Sequence, residues 1–274
     1  MATNAQRQPA IFLPHGGGPC FFMDWTWGPA DTWHATQRFL EGLGNTLPET
    51  PKALLVISGH WEEPAFTASA APRPELIFDY SGFPEHTYQL TWPAPGEPEL
   101  AQRVVDLLAQ AGLPAAVSPD RGFDHGVFVP LKVAFPEAQI PVVTLSLAAS
   151  PSGEFDPAQH LAAGRALAPL RDEGVLIVGS GMSFHNLRRY FQPETRERAR
   201  AFNTWLSNAV DSPAAERNAF LAAWREAPFA AYSHPREEHL IPLMVAAGAG
   251  GDGPGTRIFT DEPMGAAISA YRFD

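Results

Sequence analysis

Apolar residues in this chain are grouped in short unbroken runs that carry little polar alternation. Runs of this kind are typical of strands that helices cover on both faces. Proline is tolerated near the end of such a strand, which is where Pro14 falls in the first run. The pattern predicts strands over residues 10–15, 53–60, 65–70, 142–147, from 175 onward, 256–260 and 266–273.

Stretches with helical spacing of apolar residues separate these runs. In the clearest case Pro98 suits the first helical position, an apolar stripe follows, and Gly112 ends the pattern. Asp156 provides a cap for a further helix that ends before Gly174. Helices are predicted over residues 33–43, 98–112, 157–173, 193–210, 213–226 and after 239.

Strands that alternate with helices predict an α/β fold. A length of 274 residues is compatible with one domain. We therefore expect a single-domain sandwich, with a mainly parallel central sheet flanked by helices and the active site at the C-terminal edge of the strands. Residues 1–9 are predicted to be a frayed tail, and residues 10–274 a single catalytic α/β domain.

Two irregular segments interrupt this alternation. Four aromatic residues follow the first strand, and they either pack on the core or form one wall of a pocket: Phe21, Phe22, Trp25 and Trp27. Residues 71–97 form a long proline-rich excursion. Loops of that length in compact domains are often functional.

Charge and cysteine content narrow the class of function. The 19 basic and 30 acidic residues give a net charge of −11, which opposes binding to nucleic acid or to an anionic membrane. The apolar runs are too short to span a bilayer, and the polar start Met1 to Gln8 does not resemble a signal peptide, so a cytoplasmic protein is expected. Cys20 is the single cysteine, so any metal must be held by His, Asp or Glu.

Histidines recur at the predicted strand ends. His15, His60 and His185 each follow an apolar run and stand in a glycine-bearing loop. The carboxyl ends of parallel strands share one edge of a sheet, so these side chains can converge. His125 and His239 lie in further polar segments, whereas we interpret His34, His86 and His160 as surface residues. The repetition favours a cluster of histidines that binds a metal ion, and imidazole suits iron, zinc and copper alike.

A competing interpretation begins from His15-Gly16-Gly17-Gly18, which matches the oxyanion loop of lipases and esterases. That chemistry also needs a Gly-x-Ser-x-Gly elbow, and around Ser180 the spacing fails because residue 178 is valine. The serine-esterase interpretation is therefore disfavoured. A zinc-dependent hydrolase that uses the histidine cluster stays open as the alternative.

Several short motifs, taken together and in order, resemble the LigB-like class III extradiol ring-cleavage dioxygenases, in the branch of the DOPA 4,5-dioxygenases. They extend over nearly the whole chain, from residue 10 to about 249. The motifs are Leu13-Pro14-His15-Gly16-Gly17, Ser58-Gly59-His60-Trp61, Gly82-Phe83-Pro84, Pro93-Ala94-Pro95-Gly96, Gly122-Phe123-Asp124-His125-Gly126, Ser180-Gly181 with His185-Asn186-Leu187, and His239-Leu240-Ile241-Pro242-Leu243.

The resemblance implies a non-haem Fe(II) enzyme, with Zn(II) in some members, that acts on a small aromatic diol and O₂. It implies that His15 and His60 are metal ligands. The third ligand is a glutamate in some members, whereas the matching position here is His239, with Glu238 beside it as a carboxylate alternative.

The resemblance also implies roles for the two remaining histidines. His185 would be the acid/base residue close to the metal, and would become a fourth metal ligand when zinc is bound without substrate. His125 would contact a substrate oxygen, and the alternative is a turn residue held by Asp124.

The leading hypothesis is thus an extradiol dioxygenase, followed by the zinc hydrolase and by a catalytically silent metal-binding protein. The sequence leaves open the ring substituents, the native metal and the oligomeric state. It is compatible with a homo-oligomer.

Overall fold

An eight-stranded sheet forms the centre of the molecule in the computed structural model, which describes residues 6–274. Its strands follow the order β4-β3-β5-β2-β6-β1-β8-β7. Strands β5, β2, β6 and β1 are mutually parallel, and β8 joins β1 in antiparallel orientation. The strands are β1 Ala10–Pro14, β2 Ala53–Glu63, β3 Phe66–Ser69, β4 Ala115–Ser118, β5 Val142–Ala148, β6 Val175–Gly181, β7 Thr256–Asp261 and β8 Ile268–Phe273.

Helices flank this sheet, which confirms the predicted α/β sandwich. Pro98 occupies the first turn of α2, and the Asp156 carboxylate accepts a hydrogen bond from the Ala158 amide at the start of α4, as the sequence predicts. The helices are α1 His34–Gly42, α2 Pro98–Gln110, α3 His125–Ala134, α4 Pro157–Leu167, α5 Pro169–Asp172, α6 Thr195–Val210, α7 Ala214–Ala222, α8 Ala230–Ser233 and α9 Ile241–Ala249.

Successive side chains of the central strands enter two different hydrophobic layers. On β2, Leu55 and Ile57 pack into the layer formed with α2, α4 and α9. Leu54 and Val56 pack into the opposite layer, formed with α1 and α3. All four side chains are fully buried. Because both faces are covered, the strands carry continuous apolar runs.

The chain just before α9 crosses the end of β6 in direct backbone contact. A Cβ atom on Gly181 would lie 2.1 Å from the carbonyl oxygen of His239, and one on Gly179 would lie 2.4 Å from that of Pro242. The Met182 amide donates to the His239 carbonyl at 2.9 Å. Only glycine permits this approach, which places His239 at the edge of the sheet.

Three elements differ from the sequence prediction. Strand β4 and helix α3 were not expected, and α3 shows no amphipathic period because nearly all of its residues are buried and Pro130 lies inside it. Strand β2 continues to Glu63, so His60 lies within the strand and not past its end. Its pairing with β5 shifts register between Ile57 and Glu62, and this irregularity begins after the apolar run.

One local expectation lies mostly outside the described residues, and another is wrong. The tail predicted over residues 1–9 lies partly outside the described residues, but Gln8 is already buried, and its carbonyl accepts a hydrogen bond from Arg171 Nε at 2.7 Å. His160 is fully buried and not on the surface, because it lies on the inner face of α4.

Within residues 6–274, no helix combines the length and apolar character needed to cross a membrane.

The buried His160 should make folding stability depend on pH. Burial lowers its pKa to about 4, and its ring accepts from the Ala148 amide and donates to the Asp156 carbonyl. The unfolded chain binds the proton first, so stability is lost as pH falls from about 6.5 towards 4. When the pH is lowered from 7 to 4.5, the unfolding free energy of the wild type should fall by about 2 to 3 kcal/mol more than that of His160→Gln. Urea unfolding at both pH values measures this difference, with the exposed His34→Gln as control.

Candidate metal centre and substrate cavity

Five histidines, all predicted as site residues, line one cavity at the C-terminal edge of the sheet. His15 directly follows β1, and His60 lies in the irregular part of β2. His125 opens α3, His185 lies just past β6, and His239 precedes α9. The predicted convergence of the strand-end histidines is therefore what the fold produces.

Three of these rings direct the same nitrogen atom towards one point. His60 Nε2 lies 3.2 Å from His15 Nε2 and 3.2 Å from His239 Nε2. One ligand atom from each ring falls within 4.8 Å of the other two. His15 and His239 are almost completely buried, and His60 is partly buried.

Oxygen atoms behind two of these rings determine which nitrogen carries the hydrogen. His15 Nδ1 lies 2.9 Å from the Gly16 carbonyl oxygen, and His239 Nδ1 lies 2.9 Å from Glu238 Oε1. A carbonyl or carboxylate oxygen accepts, so Nδ1 must donate and Nε2 keeps its lone pair. The Nε2 lone pairs of His15 and His239 therefore both point towards His60 Nε2, and a bound cation would be attracted to this arrangement.

Asp79, which no sequence pattern indicates, holds the ring of His125 and lies beside that of His60. Its Oδ1 accepts from both the His125 amide at 2.8 Å and His125 Nδ1 at 2.9 Å, and its Oδ2 lies 3.6 Å from His60 Nδ1. Burial raises the pKa of Asp79, but the His125 hydrogen bonds and the proximity of His125 and His60 outweigh it and lower that pKa to about 2. Asp79 is thus a carboxylate that orients the His125 ring.

Asp124, the alternative partner of His125, has other contacts. It is fully buried, accepts from Ser58 Oγ at 2.7 Å and pairs with Arg121 at 2.9 Å. The Ser58 hydroxyl also accepts a hydrogen bond from the His60 amide at 3.1 Å. Asp124 therefore supports the β2 backbone beneath His60, while Asp79 holds His125.

The excursion over residues 71–97 brings Asp79 to the site. Its backbone pairs with the segment before α3: the Ile77 amide donates to the Phe123 carbonyl at 2.7 Å, and the Phe123 amide donates to the Glu75 carbonyl at 2.8 Å. This short ladder places Asp79 beside His125. Such long-range pairing leaves no periodic pattern in the sequence, although the length of the excursion pointed to a functional segment.

His185 lies against the face of His239. The two ring centroids are 3.4 Å apart with an interplanar angle of 15°, and His185 Nδ1 lies 3.4 Å from Glu238 Oε1. Burial alone would raise the pKa of Glu238, but contacts with His185 and Arg236 lower it. Glu238 is thus shared between His185 and His239.

The three converging rings are held in their neutral form. Burial lowers the pKa of His15, His60 and His239 well below the usual value, because a buried imidazolium loses its hydration. The charges of neighbouring imidazoles lower these values further, whereas Asp79 opposes the effect at His60. Neutral imidazole is the form that binds metal ions.

The observed spacing fits a metal ion. An ion about 2.0–2.1 Å from each imidazole nitrogen places neighbouring ligand atoms roughly 3 to 3.4 Å apart, for octahedral or tetrahedral angles. The two measured distances of 3.2 Å fall in this interval. The positions of His15, His60 and His239 are therefore compatible with a three-nitrogen donor set of the kind that leaves further positions of a metal open.

The three glycines after His15 serve as a platform for aromatic rings. A Cβ atom on Gly17 would lie 3.1 Å from the Trp33 ring, and one on Gly18 would lie 2.7 Å from the Phe83 ring. Gly18 also has a φ of +55°, which glycine adopts without strain. The resemblance to an oxyanion loop therefore has a packing explanation.

The cavity above the histidines has a volume of about 530 Å³ and walls that are mostly aromatic. Trp25 and Trp27 line the cavity, as one interpretation of this loop expects. Phe21 and Phe22 are partly buried and pack against the core, as the other interpretation expects. Other side chains that line the cavity are Trp33, Tyr80, Phe83, Met182, Leu187, Tyr190, Phe191 and Met264.

The fold is an α/β sandwich, and three neutral imidazoles that can bind a metal lie beneath an aromatic-walled cavity. This combination is typical of metal-dependent enzymes that act on small aromatic molecules. Residues 9–273 match the family described as the catalytic LigB subunit of aromatic ring-opening dioxygenase, and the chain belongs to that family. The predicted extradiol dioxygenase and its fold are thereby confirmed, and the match favours them over the zinc hydrolase.

Individual relatives agree with this placement. The dioxygenase tasH of Hapsidospora irregularis is 38% identical over 98% of this chain and 86% of its own. The 4,5-DOPA dioxygenase extradiol of Beta vulgaris is 39% identical over 87% of this chain and 89% of its own. The crystal structure of an uncharacterized protein from Escherichia coli K12 superposes with a TM-score of 0.78 at 31% identity, and covers 98% of this chain and 100% of that one.

Replacing Asp79 should impair the site without unfolding the protein. Asp79→Asn removes the charge that orients His125 and lies near His60, and substitutions of this kind typically cost about 10- to 100-fold in activity or metal affinity. We expect that loss in ring-cleavage kcat/KM, measured alongside metal content and thermal unfolding. The exposed Asp120→Asn is the matched control, and wild-type activity in Asp79→Asn would contradict the orienting role.

Proposed function

We propose that the protein is an Fe(II)-dependent extradiol dioxygenase that opens the ring of a catechol, with the metal held by His15, His60 and His239. The observation that carries this proposal is the convergence of three Nε2 atoms, with that of His60 3.2 Å from each of the other two, in rings whose Nδ1 atoms face oxygen. Iron suits a three-ligand site that leaves room for both a diol and O₂.

The choice of His239 over Glu238 as third ligand is supported by their mutual contact. Glu238 Oε1 lies 2.9 Å from His239 Nδ1 and so occupies the position of an orienting partner. Glu238 Oε2 lies 3.7 Å from Arg236. A carboxylate engaged in this way steers the ligand ring and raises its basicity.

His125 and His185 supply the proton chemistry. Because His125 Nδ1 donates to Asp79, its Nε2 is the nitrogen that faces the cavity and can hold a substrate oxygen. His185 lies in the cavity wall with Nδ1 beside Glu238, so the ring can accept a proton from the diol while the carboxylate stabilises the resulting charge. Imidazole suits both roles because its usual pKa lies near neutral pH.

The metal, when bound, would bring the diol and O₂ together and pass electrons between them. The chain positions the ring: the aromatic walls hold it, and the five histidines form a polar floor that meets the two oxygens. Exclusion of water by the walls strengthens the electrostatic contacts at this floor.

Oxygen uptake tests the proposed reaction. Protein loaded anaerobically with Fe(II) should consume one O₂ per catechol when air is admitted, and should yield a coloured ring-opened product. Freshly purified protein should contain iron as its main metal by elemental analysis. Iron-loaded protein that consumes no O₂ with catechol, protocatechuate or DOPA would contradict the proposal.

Single alanine substitutions separate ligands from acid/base residues. His15→Ala, His60→Ala and His239→Ala should lose most of the bound metal, because two imidazoles retain it poorly. His185→Ala should keep its metal and lose about 10²- to 10⁴-fold in turnover, the usual contribution of a general acid or base. Elemental analysis and initial rates report both quantities. Metal loss in His185→Ala would instead identify His185 as a ligand.

A further inference from the structure

One wall of the cavity is a continuous series of aromatic rings that leads outward from the histidines. Tyr80 lies 5.8 Å from His125 and 5.4 Å from Phe83, measured between ring centroids. Phe83 lies 5.3 Å from Trp27, which lies 5.1 Å from Trp25. At these spacings neighbouring rings are in contact. A substituent on a ring bound at the floor would therefore meet aromatic surface along this wall.

The mouth of the cavity is apolar as well. Trp27, Leu187 and Phe191 line it and are 50%, 72% and 57% exposed. Large apolar side chains with that exposure on one rim mark a surface that gains free energy when a ligand covers it.

Two residues that line the cavity adopt a backbone conformation that bulky residues seldom take. Phe191 and Met264 both adopt left-handed conformations, with φ of 64° and 54°, and both line the cavity. The Phe191 amide donates to the Met264 carbonyl at 3.1 Å, so each stabilises the other's conformation. Bulky residues rarely occupy this region, and such outliers concentrate at ligand sites.

The described residues that line the cavity include no Lys, Arg, Asp or Glu. The hydroxyls of Tyr80 and Tyr190 donate to backbone carbonyls, at 2.6 Å to Thr87 and at 3.3 Å to Phe184. A charged group on the substrate tail would therefore lose its hydration without an ionic partner in the wall.

Arginines occur in two surface pockets that adjoin the cavity. Phe191 and Met264 line both the cavity and a pocket that contains Arg38 and Arg196. His185 and Leu187 line both the cavity and a second pocket, which contains Arg188, Arg189 and Arg236. None of these guanidinium groups lines the cavity itself, so a tail confined to the cavity has no ionic partner in its wall.

We propose that the site selects catechols whose ring carries an uncharged, apolar substituent, alkyl or aryl, and discriminates against tails that carry a carboxylate or an amino-acid group. The proposal rests on the proposed function and specifies its substrate class. The substituent lies between the Tyr80–Phe83–Trp27 wall and the rim residues Leu187 and Phe191.

A matched pair of substrates tests the selection. 4-Propylcatechol and 3-(3,4-dihydroxyphenyl)propionate have tails of nearly equal length that differ in charge, and 3-(3,4-dihydroxyphenyl)propionamide separates polarity from charge. The Fe(II)-loaded enzyme should show a kcat/KM for the propyl compound about 10-fold or more above that for the propionate, with the amide between them. Calorimetric titration of the metal-loaded protein under argon should show the same order in Kd without turnover.

A charge introduced at the rim should shift this preference. Leu187 is the most exposed rim residue, so Leu187→Arg places a guanidinium at the mouth with little cost to folding. The ratio of kcat/KM for the propionate to that for the propyl compound should rise about 5-fold or more. Phe220→Arg adds the same charge at a residue that is 45% exposed on α7 and outside the cavity, and should leave the ratio unchanged.

The outcomes separate the two proposals. Cleavage of unsubstituted catechol with equal or better use and binding of the propionate would overturn the substrate class while the dioxygenase proposal stands. An unchanged ratio in Leu187→Arg would overturn the placement of the tail at this rim. If no diol is cleaved, the dioxygenase proposal fails, and the order of Kd values under argon still decides whether the cavity prefers an uncharged tail.

Discussion

The site depends on one constraint: three imidazoles must present the same nitrogen to one point while remaining neutral. Isolated rings would rotate or protonate to avoid facing lone pairs. Here an oxygen atom lies behind each Nδ1, from the Gly16 carbonyl, Asp79 and Glu238. Burial then lowers the pKa of each ring, so orientation and charge state are determined by the same surroundings.

That arrangement requires backbones to approach more closely than side chains normally permit. Gly179 and Gly181 let the chain before α9 lie directly on the end of β6, and Gly126 lets α3 approach the His60 ring, where a Cβ atom would fall 2.8 Å from Cδ2. The glycines thus bring β6, α3 and the start of α9 close enough for their histidines to share one site.

The sequence predicted what depends on local periodicity and shared topology. Continuous apolar runs identified the central strands, and their parallel order brought His15, His60 and His185 to one edge. It did not reveal Asp79, because its partner His125 lies 46 positions away and the link between them is irregular backbone pairing. It also missed α3, whose residues are buried on all sides and so show no amphipathic pattern.

The polar floor and the apolar walls reinforce each other. Walls that exclude water weaken dielectric screening, which strengthens the attraction of Asp79 and Glu238 for the histidines in front of them. A charged tail inside the same walls would face the opposite consequence, since it would lose hydration without gaining a partner. The low-polarity surroundings that would favour an ordered metal centre are therefore the surroundings that would disfavour a charged substituent, and a single feature of the cavity would link chemistry at the floor to selection at the rim.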